Sequence, residues 1–238
     1  MHRTPKTSET VAHRIVHDIV TGGLGAGGRL PPEAAMLDGY KVSRASLREA
    51  LRLLEVQGLI SLKPGPGGGA VVGKAEALNL ARVMSLYFNL SGMTYGELFQ
   101  TQGLFEPLCA EATARNGDPD ELREAFSPFM AADHPTDGAP YFDRVHDFHL
   151  LVYRFTGNRI LSLVTQAISL IVTTHVVATM DPAPCRPTLI EDHREMAQAF
   201  MNGWATKARE IMAQHHAGLL SFCRENWPMR LGELVEWR

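Results

Sequence analysis

The sequence predicts a mostly α-helical protein in two parts: three helices with a small β-ribbon, then an all-α bundle of six or seven helices. Three observations carry that reading. Apolar residues recur at helical spacing almost throughout, as in Val11, Ile15 and Ile19 or in Leu47, Leu51 and Leu54. Strand-like sequence is confined to one stretch, LISLKPGPGGGAVV, in which two short apolar segments flank a Gly/Pro turn. Charge divides along the chain: residues 1–74 hold ten Lys/Arg against six Asp/Glu, and residues 75–238 hold thirteen against twenty. With 238 residues the chain exceeds one average domain, so 1–74 and 75–238 are the expected domains. A basic small part joined to an acidic larger one predicts a polyanion as the partner of the first part only.

The elements follow in order. The first helix is expected from Thr10 to Val20, capped by Ser8 or Thr10 and ended by Gly22 and Gly23. After the Gly-rich connector LGAGGRLPP, Pro32 is placed to open a second, short helix that stops at Gly39 and Tyr40. Ser43 caps the third helix, since its hydroxyl can accept from amides two or three residues on. That helix runs to about Gln57, where Gly58 offers the left-handed C-terminal position. Three helices and a two-stranded ribbon describe a winged helix-turn-helix, whose capped third helix enters the DNA major groove. Arg44 and Arg48 stand in its first turn and a half, where a guanidinium can make a bidentate contact to guanine. Taken alone, two such arginines are more often solvated helix charges; their setting favours the DNA reading.

From Glu76 to Glu225 the pattern stays helical, broken at NGDP, DHPTDGAP, TGN, MDPAPCRP and NGW. Three histidines share apolar stripes: His149 with Val145 and Val152, His193 with Ile190, Ala197 and Phe200, His215 with Ala208, Met212 and Leu219. Each therefore points into the bundle, where an imidazole needs a partner for its nitrogens. Three converging imidazoles can share a divalent metal; the alternative is three separate core histidines bonded to carbonyls or hydroxyls. No run of about 18 apolar residues is evident, so no membrane span is expected, and MHRTPKTSET lacks the apolar core of a signal peptide. Cys109, Cys185 and Cys223 are widely spaced and form no CxxC pair, which fits a reducing, cytoplasmic setting.

LPPEAAML and, four residues on, VSRASLREALRLLEVQGLI resemble the signature of the GntR family of bacterial transcription regulators. The resemblance covers about residues 8–73 and implies DNA contacts by Ser43, Arg44, Ala45 and Arg48, with Gly65 at the wing tip. One departure is Ala34, where the family usually has an arginine that adds a DNA contact. FDRVHDFHLLVYRFTGN and EDHREMAQAFMNGWATKAREIMAQHH resemble the FadR-like C-terminal domain called FCD, a dimerising, effector-binding bundle. That resemblance implies a metal site of three histidines and an aspartate, commonly holding zinc or nickel beside a small carboxylate effector. His149, His193 and His215 match the histidines, and adjacent His216 ranks second. The aspartate position is Val145, and the arginine expected one turn before Glu106 is Gln102. Both changes weaken the expectation of metal and of an acidic ligand. The effector site implied comprises Gln102, Val145, His149, Asn158, His193 and His215. The reading is a cytoplasmic homodimer that binds a palindromic double-stranded DNA operator and responds to a small molecule, with no membrane partner. A metal-only sensor is the near alternative. A three-histidine metal enzyme is the remote one, because no general base or oxyanion donor is identifiable beside the histidines.

Overall fold

The computed structural model describes residues 6–65, 68–131, 137–177 and 182–238. Pro66 and Gly67 of the expected ribbon turn lie outside the described residues, as do parts of the breaks placed at DHPTDGAP and MDPAPCRP. The chain divides into two compact units between Asn79 and Leu80, in the first turn of a helix.

The first unit contains α1 (Thr7–Thr21), α2 (Glu33–Tyr40), α3 (Arg44–Val56), β1 (Ile60–Lys63) and β2 (Gly69–Val72). Its core joins Val11 and Ile15 of α1 to Leu47, Leu51 and Leu54 of α3, with Ile60 and Ala70 from the ribbon. The expected cap of α1 is corrected. Neither Ser8 nor Thr10 stands at the end; Lys6 precedes the helix and donates its N–H to Glu9 Oε2 at 2.9 Å. Ser8 is buried instead, because it falls on the inward face. Ser43 caps α3 as expected, its Oγ accepting from Ser46 N at 3.2 Å. Gly58 has φ +72°, and this left-handed turn carries the chain from α3 into β1. The strands pair antiparallel, Ile60 opposite Val72 and Lys63 opposite Gly69.

Among the described residues the second unit has no β-strand, and its extended pairing is the single bridge of Thr94 with Leu234. It comprises α4 (Ala77–Leu90), α5 (Tyr95–Asn116), α6 (Pro119–Phe126), α7 (Gly138–Arg154), α8 (Arg159–Val172), α9 (Arg186–Met201), α10 (Ala205–Asn226) and the five-residue α11 (Pro228–Gly232). Helix α5 packs against α7, α8, α9 and α10 and so forms the axis of the bundle. Thr94 caps it through a capping box with Glu97. Phe126, Phe148, Phe200, Met196 and Met212, all fully buried, fill the core on one side of the axis. The stretch Arg159–Val176, although interrupted by polar residues, reaches a mean hydropathy of 1.4 over 18 residues. Thr165, Ala167, Ile168, Ile171 and Val172 are buried in the unit, so α8 serves here as a core helix. The chain end folds back on the start of α5: Tyr95 N donates to Glu233 O and Val235 N to Met93 O. Val235 is fully buried by this strap.

Candidate nucleic-acid interface and bundle cavity

In the first unit Ser43, Arg44, Ala45 and Arg48 are all exposed on the N-terminal half of α3, free of the core that Leu47 and Leu51 enter. Gly65 is exposed at the end of β1 with φ +92°. Arg48 Nε lies 3.3 Å from Glu33 Oε1 of α2, a solvent-exposed pair. Glu33, Ala45, Arg48 and Leu62 line one concave surface bounded by α2, α3 and the ribbon. Arg52, one turn beyond Arg48, lines it too. The sequence reading passed over Arg52, although its place four residues after Arg48 was the available signal.

In the second unit His149 of α7, His193 of α9 and His215 of α10 are buried, at 9, 1 and 4% exposure. They come together because each sits on the apolar stripe of its helix. One nitrogen from each comes within 4.8 Å of the others. His193 stacks on Phe148, with ring centroids 4.2 Å apart, and this fixes its plane. The three rings border a cavity of about 60 Å³. Val145, Phe99, Phe142, Val172 and Leu189 form its apolar wall; Gln102, Ser169, Thr173 and His216 add polar groups. At roughly 10–15 Å³ per enclosed water centre, this space suits an ion with a few waters or a very small molecule. Thr173 begins a π-helical turn, Thr173–Val177, that extends α8 beside the cavity.

Behind the rings stands Glu106 of α5, fully buried. Its Oε2 lies 2.8 Å from His149 Nδ1 and 2.7 Å from His216 Nε2. The His149 contact is short but poorly aligned, since Nδ1 has no well-directed hydrogen-bond partner. Glu106 Oε1 accepts from Gln102 Nε2 at 2.7 Å and from the Tyr153 hydroxyl. Burial alone would raise the Glu106 carboxyl pKa. The charges of His149 and His216, with the hydrogen bond from His216, outweigh burial and hold it well below the usual carboxylate range. Burial and the Glu106 charge push the Tyr153 phenol well above its ordinary value. His215 Nδ1 donates to Asp192 Oδ2 at 3.1 Å. Burial, with repulsion from His216 and His149, nevertheless lowers the His215 pKa to about 4, so this imidazole is neutral at pH 7.

Neutral, buried imidazoles are the donors that zinc or nickel takes. Zinc at about 2.0–2.1 Å from tetrahedral nitrogens places them roughly 3.3 Å apart, so shifts of about an ångström would close this trio on an ion. The residues therefore fit a divalent metal. Val145 and Gln102 line the cavity, as the sequence reading places them. Asn158 is not among the residues that line it. Its Oδ1 caps α8, accepting from Ile160 N and Leu161 N at 3.1 Å each. The sequence reading also missed Glu106 and Asp192 as carboxylates behind the rings. The signal for Glu106 was present, since it shares one helical face with Phe99, Gln102 and Cys109.

A basic winged helix-turn-helix followed by a helical bundle defines a class, the DNA-binding regulators. Residues 7–71 match the model of the bacterial regulatory proteins of the gntR family, and residues 97–218 match that of the FCD domain. The chain belongs to the GntR family of transcription regulators and carries an FCD domain. Among relatives, an uncharacterized HTH-type transcriptional regulator, YcbG, of Bacillus subtilis is 26% identical over 218 residues, covering 92% of this chain and 88% of the relative. The Uxu operon regulator of Haemophilus influenzae is 24% identical over 218 residues, covering 88% of this chain and 79% of the relative. A solved Streptococcus agalactiae GntR structure shares the fold, with a TM-score of 0.62 and 22% identity over 90% of this chain and 99% of that one. These matches make the protein a transcription regulator and not an enzyme.

Proposed function

We propose that the protein is a cytoplasmic homodimer that binds a palindromic DNA operator, with affinity set by a small ligand held in the bundle cavity together with a divalent metal. The observation that carries the ligand site is the convergence of His149, His193 and His215 on one cavity. The exposed Arg44 and Arg48 beside a capped helix start support base reading in the major groove. Dimerisation is supported by Leu104 and Leu108 of α5 and Ile160 and Leu163 of α8, large apolar residues left 37 to 77% exposed on two adjoining helices. A second copy covering them would set two recognition helices at fixed spacing, as a palindromic site requires.

A bound metal would supply a Lewis-acidic centre for a ligand oxygen. The chain's own groups do the rest. Phe99, Val145 and Leu189 exclude water from one side of the cavity, and Ser169 and Thr173 line it with hydroxyls. The small volume favours a second reading, in which metal with its waters is the whole signal.

Selection of duplexes from a random DNA library by the full-length protein, with and without zinc, tests the proposal. The expected result is enrichment of a two-fold symmetric sequence whose retention changes when zinc is present. Retention of DNA with no sequence preference would overturn it.

A further inference from the structure

We propose that Glu106 is the buried counter-charge of the cavity and the residue that decides which nitrogen of His149 faces it. The inference rests on the reading of the cavity as a metal site. No Asp or Glu lines the cavity among the described residues. A divalent ion held by three neutral imidazoles alone would bring two uncompensated charges into a buried space, at a large desolvation cost. Glu106 has the opposite deficit. It is an anion with no exposure, and its contacts among the described residues (His149, His216, Gln102 and Tyr153) include no lysine or arginine, so imidazoles are the groups beside it that can carry positive charge. The two deficits stand one imidazole ring apart and offset each other.

The geometry also sets the tautomer. A ring nitrogen 2.8 Å from a carboxylate oxygen carries the hydrogen, because two lone pairs at that distance repel. A neutral imidazole has one N–H, so His149 Nδ1 holds it and Nε2 keeps the lone pair for an ion. Hydrogen bonds from His216, Gln102 and Tyr153 hold the Glu106 carboxylate in place beside His149 Nδ1. His216 Nε2 is spent on the same Oε2, which explains why the fourth histidine stands outside the trio. Asp192 repeats the arrangement behind His215, but its side chain is 25% exposed and water screens its charge. Glu106 is thus a positioning residue, acting on the ion through His149.

Zinc affinity by competition with a chromophoric chelator, together with 15N spectra of the imidazoles in the metal-free full-length protein, tests the proposal. Glu106→Gln keeps the shape and removes the charge, and it should weaken zinc binding by about 10–100-fold. Adding Val145→Asp to that variant should recover much of the loss, since the new carboxylate enters the cavity wall directly. The wild-type spectrum should show His149 protonated at Nδ1 alone, and Glu106→Gln should give a mixture. Folded Glu106→Gln that binds zinc as tightly as wild type would overturn the counter-charge. Hydrogen on Nε2 of wild-type His149 would overturn the positioning role, and that spectrum decides even where Glu106→Gln fails to fold. Wild-type protein that binds no zinc sinks the metal reading and the counter-charge with it, while the tautomer still reports on Glu106.

Discussion

Arg48 shares an exposed contact of 3.3 Å with Glu33. Such a surface pair is worth about 0–1 kcal/mol, so a guanine edge or a phosphate outcompetes it readily. Arg48→Ala should therefore cost about 1–3 kcal/mol on the selected operator and flatten discrimination at one position of each half-site. Anisotropy titrations across a set of operator variants check this; an equal loss on every sequence would show that Arg48 holds only phosphate. Beneath α3, the Tyr40 hydroxyl donates to Asp18 Oδ2 at 2.7 Å and ties α2 to α1. Burial and the Asp18 hydrogen bond raise the Tyr40 pKa from 10.0 to about 12. The folded pKa lies above the unfolded one, so this stabilisation is complete below pH 10 and is lost as pH rises through 12. Phenolate absorbance should show one late-titrating tyrosine fewer in Tyr40→Phe than in the wild type. Single residues were legible in the sequence where helical period alone decides the matter, as for the inward faces of His149, His193 and His215. They were not legible where partners come from distant helices. Glu106 meets His216 across 110 positions of sequence, and no local pattern names that pairing. Asn158 entered by resemblance alone, and the structure gives its side chain to the cap of α8.

Helices α1, α3 and the ribbon could be read from period, cap and Gly/Pro turn because each buries one simple stripe against the others. The start of α1 was missed because Lys6 with Glu9 closes the helix end without a hydroxyl or carboxamide cap. The strap formed by residues 233–236 was not foreseen at all. Its pairing to Met93 and Tyr95 joins segments some 140 residues apart, and LGELVEWR has no strand-like alternation. Asn89 Nδ2 adds a hydrogen bond to Val235 O at 2.9 Å, so the strap also holds the end of α4. Val235→Ala removes two buried methyl groups and leaves a gap, a loss of about 2 kcal/mol. Urea unfolding of the full chain measures it. An unchanged midpoint would show that the strap lies loosely on α4 and α5.

For the whole molecule, the charge division between residues 1–74 and the rest pointed to one DNA-binding part, and the family matches over 7–71 and 97–218 agree with that division of labour. The proposed dimer rests on Leu104, Leu108, Ile160 and Leu163. Leu104→Asp with Ile160→Asp should shift the sedimentation of the full-length protein from dimer to monomer and weaken binding to the palindrome more than to a half-site. A dimer that persists would move the interface to another face. Control by the cavity then depends on whether three histidines without a carboxylate ligand retain an ion. Metal content of the purified, dialysed full-length protein, wild type beside His193→Ala, tests that most directly. The account predicts about one divalent ion per wild-type chain, bound through three nitrogens at about 2.0–2.1 Å, and almost none in His193→Ala. Equal, near-zero metal in both proteins would contradict it.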